Sequence, residues 1–223
     1  MKSRNLFLLF AVICLSEILF LINGAENLRY ITKPLIIPFL GLIYYTSLHN
    51  KLNFKKDAVI IALFFSWVGD VLLHLDGYFI PGLISFLLAH IFYIIFLSST
   101  SSLKSSFFKL RPVMLIAVMA YLIELMHLLW PYLGNLKLPV LFYGITISTM
   151  LSAALWQYQK LDNRTATYFI IGALFFVTSD SLLAFNKFRQ AFEFSGVYIM
   201  TTYILAQLFI VVGAIRYRNT QTS

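Results

Sequence analysis

Charged side chains are scarce in this sequence. Of its 223 residues only 12% are charged and 60% are hydrophobic, and the mean hydropathy is +0.83. Soluble domains usually carry about 25% charged residues, so water cannot be the main solvent of this chain. A backbone that lies in lipid must satisfy its own hydrogen bonds as helices or as a closed barrel. The apolar runs here are long and do not alternate, which favours helices.

The sequence also lacks several common motifs. Cys14 is the one cysteine, so no disulfide framework can form within the chain. No glycine-rich phosphate loop and no Gly-x-Ser-x-Gly elbow occurs, which argues against a nucleotide site and against that type of serine nucleophile. The net charge of +8 comes from Lys and Arg in short loops. Such residues indicate orientation in a membrane and contact with anionic lipid rather than nucleic-acid binding.

Eight apolar segments have the length of membrane spans. About 20 apolar residues cross the hydrocarbon as a helix, and short loops with Lys, Asn, Pro, Gly or Ser separate the segments. The sequence therefore predicts an all-α membrane protein with a single transmembrane domain over 1–223 and no soluble domain. The predicted spans are 6–23, 34–49, 57–75, 79–98, 110–130, 138–157, 165–185 and 195–215.

The basic residues predict the orientation. With the N-terminus inside, the inner segments hold twelve Lys and Arg residues and the outer segments hold five. Because cytoplasmic loops are enriched in these residues, both termini are predicted to be cytoplasmic. Span 6–23 could instead be a signal peptide, but its length and Glu17 favour a mature helix. The inner residues are Lys2, Arg4, Lys51, Lys55, Lys56, Lys104, Lys109, Arg111, Lys160, Arg164, Arg216 and Arg218, and the outer ones are Arg29, Lys33, Lys137, Lys187 and Arg189.

The chain contains a possible internal repeat. Residues 65–76 (FSWVGDVLLHLD) align with 175–186 (FFVTSDSLLAFN) at a shift of 110, and 86–92 align with 203–209. Two parallel four-helix halves, 1–106 and 107–223, would be related by an axis along the membrane normal. Such an axis would set Asp70 opposite Asp180, with His90 and Gln207 as a second related pair. The alternative is coincidence among leucine-rich helices.

Asp70 and Asp180 are the main catalytic candidates. Counted from the inner ends of their spans, they lie roughly 20 and 24 Å into a hydrocarbon layer about 30 Å thick. Carboxyl groups at such depth are costly and often functional, and two facing each other can divide into a general acid and a general base. The alternative is that each is a hydrogen-bonded lock between helices.

Other polar residues on the outer half of the spans are weaker candidates. His90, Tyr203 and Gln207 could contact a substrate or could equally be interhelical hydrogen bonds. His74, one turn beyond Asp70 on the same helix face, could be a site residue or an interfacial one. Glu17, Glu124 and His127 are poorer candidates for catalysis. Asp70, His74, His90 and Asp180 could supply metal ligands, but zinc sites prefer His and Cys and no helix carries two His at ligand spacing. We therefore predict no metal and no other cofactor.

Five short motifs follow one another along the chain. They are Lys33-Pro34-Leu35, 69–73 (GDVLL), 82–93 (GLISFLLAHIFY), 179–183 (SDSLL) and 203–207 (YILAQ). In order and spacing they resemble the YhhN family of membrane proteins, also called lysoplasmalogenases, over nearly the whole chain. The resemblance implies an eight-helix fold and hydrolysis of the vinyl-ether bond of lysoplasmalogens to a fatty aldehyde and a glycerophospho-base. It places Lys33, Asp70, His90, Asp180, Tyr203 and Gln207 at the family's polar motif positions.

The implied reaction suits two carboxyl groups. A vinyl ether hydrolyses when an acid protonates its β-carbon and water captures the resulting oxocarbenium ion, as in glycoside hydrolysis. One aspartate is predicted to donate the proton and the other to orient water and stabilise the cation, while Lys33 holds the phosphate of a lysophospholipid. In a bacterium the host would be the cytoplasmic membrane. The alternatives are a transporter or flippase that uses the same carboxylates, or a lipid sensor without activity.

Overall fold

A computed structural model of the chain describes residues 3–49, 52, 57–100, 112–158 and 160–221. The described residues form eight α-helices and no strand, so the predicted all-α architecture is confirmed. The helices are α1 (Ser3–Ile22), α2 (Glu26–Ser47), α3 (Ala58–His74), α4 (Phe79–Ser99), α5 (Pro112–Leu129), α6 (Lys137–Trp156), α7 (Asn163–Ala184) and α8 (Ser195–Thr220). Several predicted loop residues lie outside the described ranges, namely Lys2, Lys51, Lys55, Lys56, Lys104, Lys109 and Arg111, together with the boundary between the proposed halves.

Length and composition support a membrane location. Within the described ranges, six helices are long and apolar enough to cross a membrane, and α3 is a shorter apolar helix. The surface of the bundle is apolar as well: Leu15 is 64% exposed, Val113 74% and Ile116 66%. Large exposed apolar surfaces of this kind mark contact with lipid or with a partner.

Helix α2 begins earlier than the sequence predicts. It starts at Glu26 rather than at residue 34, and Pro34 and Pro38 lie inside it. The polar residues of its first turns are accommodated because Arg29 donates to Glu26 of the same turn and to the buried Glu17 of α1. The extra turns make Lys33 part of a helix instead of a loop residue.

Six helices form a closed ring. Around it, α2 packs on α3, α3 on α4, α4 on α6, α6 on α7, α7 on α8 and α8 back on α2. Helix α1 covers α2 and α8 from outside, and α5 covers α6. The polar side chains described below point into this ring.

Two hairpins, α3–α4 and α7–α8, pack most closely. Each uses a small residue where the partner helix presents a large one: a Cβ at Gly69 would lie 2.6 Å from the Phe86 ring, and one at Gly213 would lie 2.8 Å from Phe169. Small residues let membrane helices approach closely, and hydroxyls bond across the contact. In α3–α4 this bond runs from Ser85 Oγ to the Phe65 carbonyl over 2.7 Å.

Polar contacts tie the ends of helices together on the side predicted to be cytoplasmic. Asp57, just before α3, is fully buried, accepts a hydrogen bond from Tyr44 of α2 at 2.6 Å, and lies 2.6 Å from Arg218 Nε of α8. These contacts join three helices at one point.

Asp162 caps the start of α7. Its carboxylate accepts hydrogen bonds from the backbone N–H groups of Arg164 and Thr165, from the Thr165 hydroxyl and from Arg216. Slight burial favours the neutral acid, but the bonds from Thr165 and Arg216 outweigh it, so the pKa of Asp162 lies below its ordinary value. The cap therefore stabilises α7 most when Asp162 is ionised.

Candidate active site

Asp70 belongs to a chain of buried hydrogen bonds. It lies one turn before the end of α3, where Tyr203 of α8 donates to its Oδ2 over 2.7 Å. Gln207, one turn after Tyr203, donates to the Tyr203 hydroxyl over 3.2 Å, and Tyr93 of α4 donates to Gln207 Oε1 over 2.5 Å. Asp70 is 3% exposed and Gln207 is fully buried. Because Tyr203 and Gln207 are four residues apart, they share one face of α8.

Lys33 and Glu17 are the charged residues nearest to this group. Lys33 lies close enough to Asp70 for their charges to interact, and Glu17 acts on both. Glu17 is fully buried and also accepts a hydrogen bond from Thr32 over 2.6 Å. Lys33 therefore faces carboxylates inside the bundle. His74 of the next turn of α3 packs edge-on against Tyr30, with ring centroids 4.1 Å apart.

Asp180 belongs to a second group. It lies one turn before the end of α7, and Tyr143 of α6 donates to its Oδ2 over 2.7 Å. His90 Nε2 of α4 is 3.6 Å from the same oxygen and makes no hydrogen bond with any described residue. His90 is 1% exposed and the Asp180 side chain 14%. Asp180 is thus the more accessible of the two carboxyl groups.

Asp180 borders a small apolar cavity of about 30 Å³, which is room for about one water molecule. Its polar groups are Asp180 and Tyr143, and its other walls come from α4, α6, α7 and the turn after α7. The apolar lining residues are Phe79, Leu83, Val140, Leu183, Ala184 and Phe188.

The two groups are neighbours but not one dyad. Asp70 and Asp180 share no hydrogen bond and no tyrosine among the described residues. The Phe176 ring lies between them, with ring centroids 5.2 Å from His90 and 6.1 Å from Tyr203. Within the described ranges, no three His, Cys, Asp or Glu side chains lie together at metal-binding distance. The structure thus brings Lys33, Tyr203 and Gln207 to Asp70, and His90 to Asp180.

The remaining weak candidates lie apart. Glu124 and His127 are on α5, which packs outside the ring against α6, and neither contacts either aspartate among the described residues. Glu17, by contrast, is part of the Asp70 surroundings through Arg29 and Thr32.

Comparison with known proteins identifies the family of this chain. The model of the YhhN family matches residues 28–214. This chain belongs to the YhhN family. The match begins in α2, ends in α8 and includes both aspartates, so the resemblance predicted from the sequence is confirmed.

Curated YhhN relatives carry the name lysoplasmalogenase. Human lysoplasmalogenase TMEM86A is 33% identical over 176 residues, which are 72% of this chain and 66% of the relative. Human lysoplasmalogenase TMEM86B is 33% identical over 159 residues, 70% of this chain and 62% of the relative. The lysoplasmalogenase of Mycobacterium bovis is 30% identical over 177 residues, 77% of this chain and 66% of the relative. The chain thus spans slightly less than two thirds of the length of these relatives. No solved structure matches it significantly.

Sequence reasoning missed two tyrosines of this YhhN protein. Tyr143 and Tyr93 lie in the middle of apolar helices, where a tyrosine is as often a packing residue as a hydrogen-bond donor. The repeat offered one signal, because the shift of 110 residues that aligns Asp70 with Asp180 also aligns Lys33 with Tyr143. Lys33 lies near Asp70, and Tyr143 donates a hydrogen bond to Asp180, so each is next to the aspartate of its own half.

Proposed function

We propose that this protein is a membrane-embedded hydrolase that cleaves the vinyl-ether bond of lysoplasmalogen-like lysolipids to a fatty aldehyde and a glycerophospho-base. The observation that carries the proposal is the partly exposed carboxyl of Asp180 on an apolar cavity, with the unbonded His90 Nε2 beside it. The lysoplasmalogenase names of the YhhN relatives support the same reaction.

In this proposal Asp180 is the general acid. Its carboxyl proton adds to the β-carbon of the vinyl ether, and the electrons of the double bond leave an oxocarbenium ion at the α-carbon. Water adds to that carbon and gives one proton back to the Asp180 carboxylate, which restores the acid. The hemiacetal hydroxyl then gives up its proton, the bond between the α-carbon and the glycerol oxygen breaks, and that oxygen takes up a proton, so the products are an aldehyde and an alcohol. Proton transfer by a positioned carboxyl is worth about 10²–10⁴-fold in rate.

Asp70 is proposed as the second carboxylate of the reaction. Tyr203 bonds it, Gln207 bonds Tyr203, and Lys33 lies nearby. In a low-dielectric interior the charge of Asp70 can stabilise a cation at some distance. His90 Nε2 lies beside Asp180 Oδ2, so it is proposed to orient the attacking water. His74 lies at the outer end of α3 and is proposed to contact the polar part of the substrate. The cavity holds only about one water, so substrate binding requires the rings of Phe79 and Phe188 to separate.

We also propose that the ring consists of two parallel halves. A stacked phenylalanine pair occurs in each hairpin, Phe65–Phe92 at 5.6 Å and Phe175–Phe209 at 5.9 Å. These pairs coincide in the alignment that predicted the repeat. Each aspartate is also partnered from the other half, since Tyr203 bonds Asp70 and His90 lies beside Asp180. Such exchange is what a twofold axis along the membrane normal produces.

The membrane setting follows from the same proposal. Both termini are placed in the cytoplasm, and the two carboxyl groups lie toward the outer leaflet. The substrate is a lysophospholipid drawn from the bilayer, and in a bacterium the membrane is the cytoplasmic one. Labelling of cysteines introduced at Asn5 and Thr220 with an impermeant reagent tests this topology, because both must be protected in intact cells.

The reaction is tested with purified protein and a vinyl-ether lysolipid. Fatty aldehyde should be released from it, but not from the saturated 1-O-alkyl analogue, whose ether cannot be protonated at carbon. Asp180→Asn should lower the rate about 10²–10⁴-fold, and Asp70→Asn should lower it as well. Asp76→Asn is the matched control, because Asp76 is exposed in the turn after α3.

Two outcomes would contradict the proposal. Full activity of folded Asp180→Asn would remove this residue from the chemistry. Binding or transport of the lysolipid in vesicles without any aldehyde would instead indicate a transporter or a sensor.

A further inference from the structure

The wall of the cavity at Asp180 includes a residue of an unusual turn. Helix α7 is followed by a π-helical segment, Phe185–Arg189, closed by a hydrogen bond from the Gln190 N–H to the Phe185 carbonyl over 3.0 Å. Turns of this type are rare and concentrate at functional sites. Phe188 of the segment lines the cavity, so the π turn forms part of its wall.

Two basic side chains lie on this turn, each over an aromatic ring. The Lys187 ammonium is 4.8 Å from the centre of the Phe79 ring, and the Arg189 guanidinium carbon is 5.0 Å from the Phe185 ring. Phe79 packs edge-on against Phe188 at 5.7 Å, and both rings line the cavity. Lys187 and Arg189 are exposed, whereas Asp180 is only 14% exposed. Lys187 therefore lies on the outer side of a ring that lines the Asp180 cavity, and Arg189 lies two residues further along the same turn.

These cations have no carboxylate partner in the part of the chain that the structure describes. Neither Lys187 nor Arg189 forms an ion pair with a described residue, although the exposed Glu193 lies in the same loop. Arg29 at the same end of the bundle is paired with Glu17 and Glu26. Lys33 forms no ion pair with a described residue either, but it lies near the buried carboxyl groups of Asp70 and Glu17. Lys187 and Arg189 are thus positioned to receive an anion from outside the protein.

The chemistry of a lysoplasmalogen supplies that anion. Its vinyl ether is on one end carbon of glycerol and its phosphate on the other, so only a few bonds separate the reacting carbon from the phosphate. With the vinyl ether at Asp180, the glycerophosphate extends toward the π turn. Arginine binds phosphate through paired N–H groups and lysine through a point charge.

We propose that Lys187 and Arg189 bind the phosphate of the lysolipid headgroup at the rim of the Asp180 cavity. The proposal rests on the proposed function and refines it, because it moves the phosphate from Lys33, where the sequence predicted it, to the π turn. In this arrangement the charge of Lys33 acts on Asp70 and not on the phosphate of the headgroup.

Binding of uncleavable ligands tests the proposal without turnover. The affinity of the purified full-length protein is measured for a 1-O-alkyl lysophosphoethanolamine and for the matching 1-O-alkylglycerol, which lacks the phosphate. The double variant Lys187→Gln/Arg189→Gln should weaken binding of the phosphorylated ligand roughly ten- to a hundredfold and leave the other ligand unchanged. Lys160→Gln is the matched control, because Lys160 also lies over an aromatic ring, Trp156, but precedes α7 at its other end.

Three results would overturn the proposal: unchanged binding of the phosphorylated ligand, equal weakening for both ligands, or selective weakening in Lys33→Gln but not in the double variant. Turnover separates this inference from the proposed function. If the double variant shows the selective loss of affinity for the phosphorylated ligand, and the wild-type protein releases no aldehyde from a vinyl-ether lysolipid, the phosphate site stands and the hydrolase proposal fails. In an active enzyme, the double variant should raise KM for the phosphorylated substrate and leave kcat within about twofold.

Discussion

Loss of the Arg218 guanidinium should destabilise the whole ring. Arg218 Nε lies 2.6 Å from Asp57 Oδ1, with the two side chains 6% and 0% exposed. Tyr44 donates a second hydrogen bond to the same carboxylate. The pair therefore joins α8 to α2 and to the start of α3, in a place that water does not reach.

The size of the stability loss follows from the Asp57 charge, which Arg218→Ala leaves buried without its partner. Removing one partner of a buried ion pair costs about 3–5 kcal/mol, because the remaining ion stays desolvated without compensation. Each kcal/mol lowers the Tm of a chain of this size by roughly 2–4 °C. Arg218→Ala should therefore lower the Tm by roughly 10 °C.

A double substitution separates the stranded charge from lost packing. Asp57→Asn/Arg218→Met removes both charges and keeps a hydrogen-bond acceptor for Tyr44, so it should recover most of the loss. The assay is thermal unfolding of detergent-purified protein, followed as the loss of the monodisperse peak in size-exclusion chromatography. A wild-type Tm in Arg218→Ala, or a double variant no more stable than Arg218→Ala, would refute the reasoning.

Three further predictions concern single contacts. Gly69→Ala should cost about 1–3 kcal/mol of stability, since its Cβ would meet the Phe86 ring, whereas Gly41→Ala, with nothing within 4 Å, should be neutral or stabilise slightly; thermal unfolding of both checks this. Tyr203→Phe should lower the Tm and the activity together because it removes the donor to buried Asp70, while Tyr168→Phe, whose hydroxyl bonds no described residue, should not. Asp162→Ala should cost about 1 kcal/mol at pH 7. Because the pKa of Asp162 is below its ordinary value, this cap contributes stability above the unfolded pKa and loses it as the pH falls through the folded pKa. The Tm difference between Asp162→Ala and wild type should therefore vanish in acid, and a difference that persists there would contradict the assigned role.

The candidate site was partly readable from the sequence. Asp70, Asp180, His90 and Gln207 stand out because polar residues are rare within apolar spans. Which of them meet was not readable, since the contact between Asp70 and Tyr203 joins residues 133 positions apart. That contact depends on how α3 and α8 are rotated about their axes. The twofold argument suggested that Asp70 and Asp180 would face each other as one pair. In the structure the Phe176 ring lies between their two groups.

The sequence by itself determined the solvent, the eight helices and the identity of the polar residues inside them. These properties are local: whether a segment enters lipid depends on its own composition, and each helix satisfies its own backbone. Only the tertiary structure decided that α2 extends back to Glu26 and that Asp57 pairs with Arg218. It also decided which tyrosine hydrogen-bonds each aspartate, Tyr143 to Asp180 and Tyr203 to Asp70. Those outcomes depend on how side chains of distant helices interlock, and in lipid this packing is set by the close fit of small and large residues rather than by apolar burial.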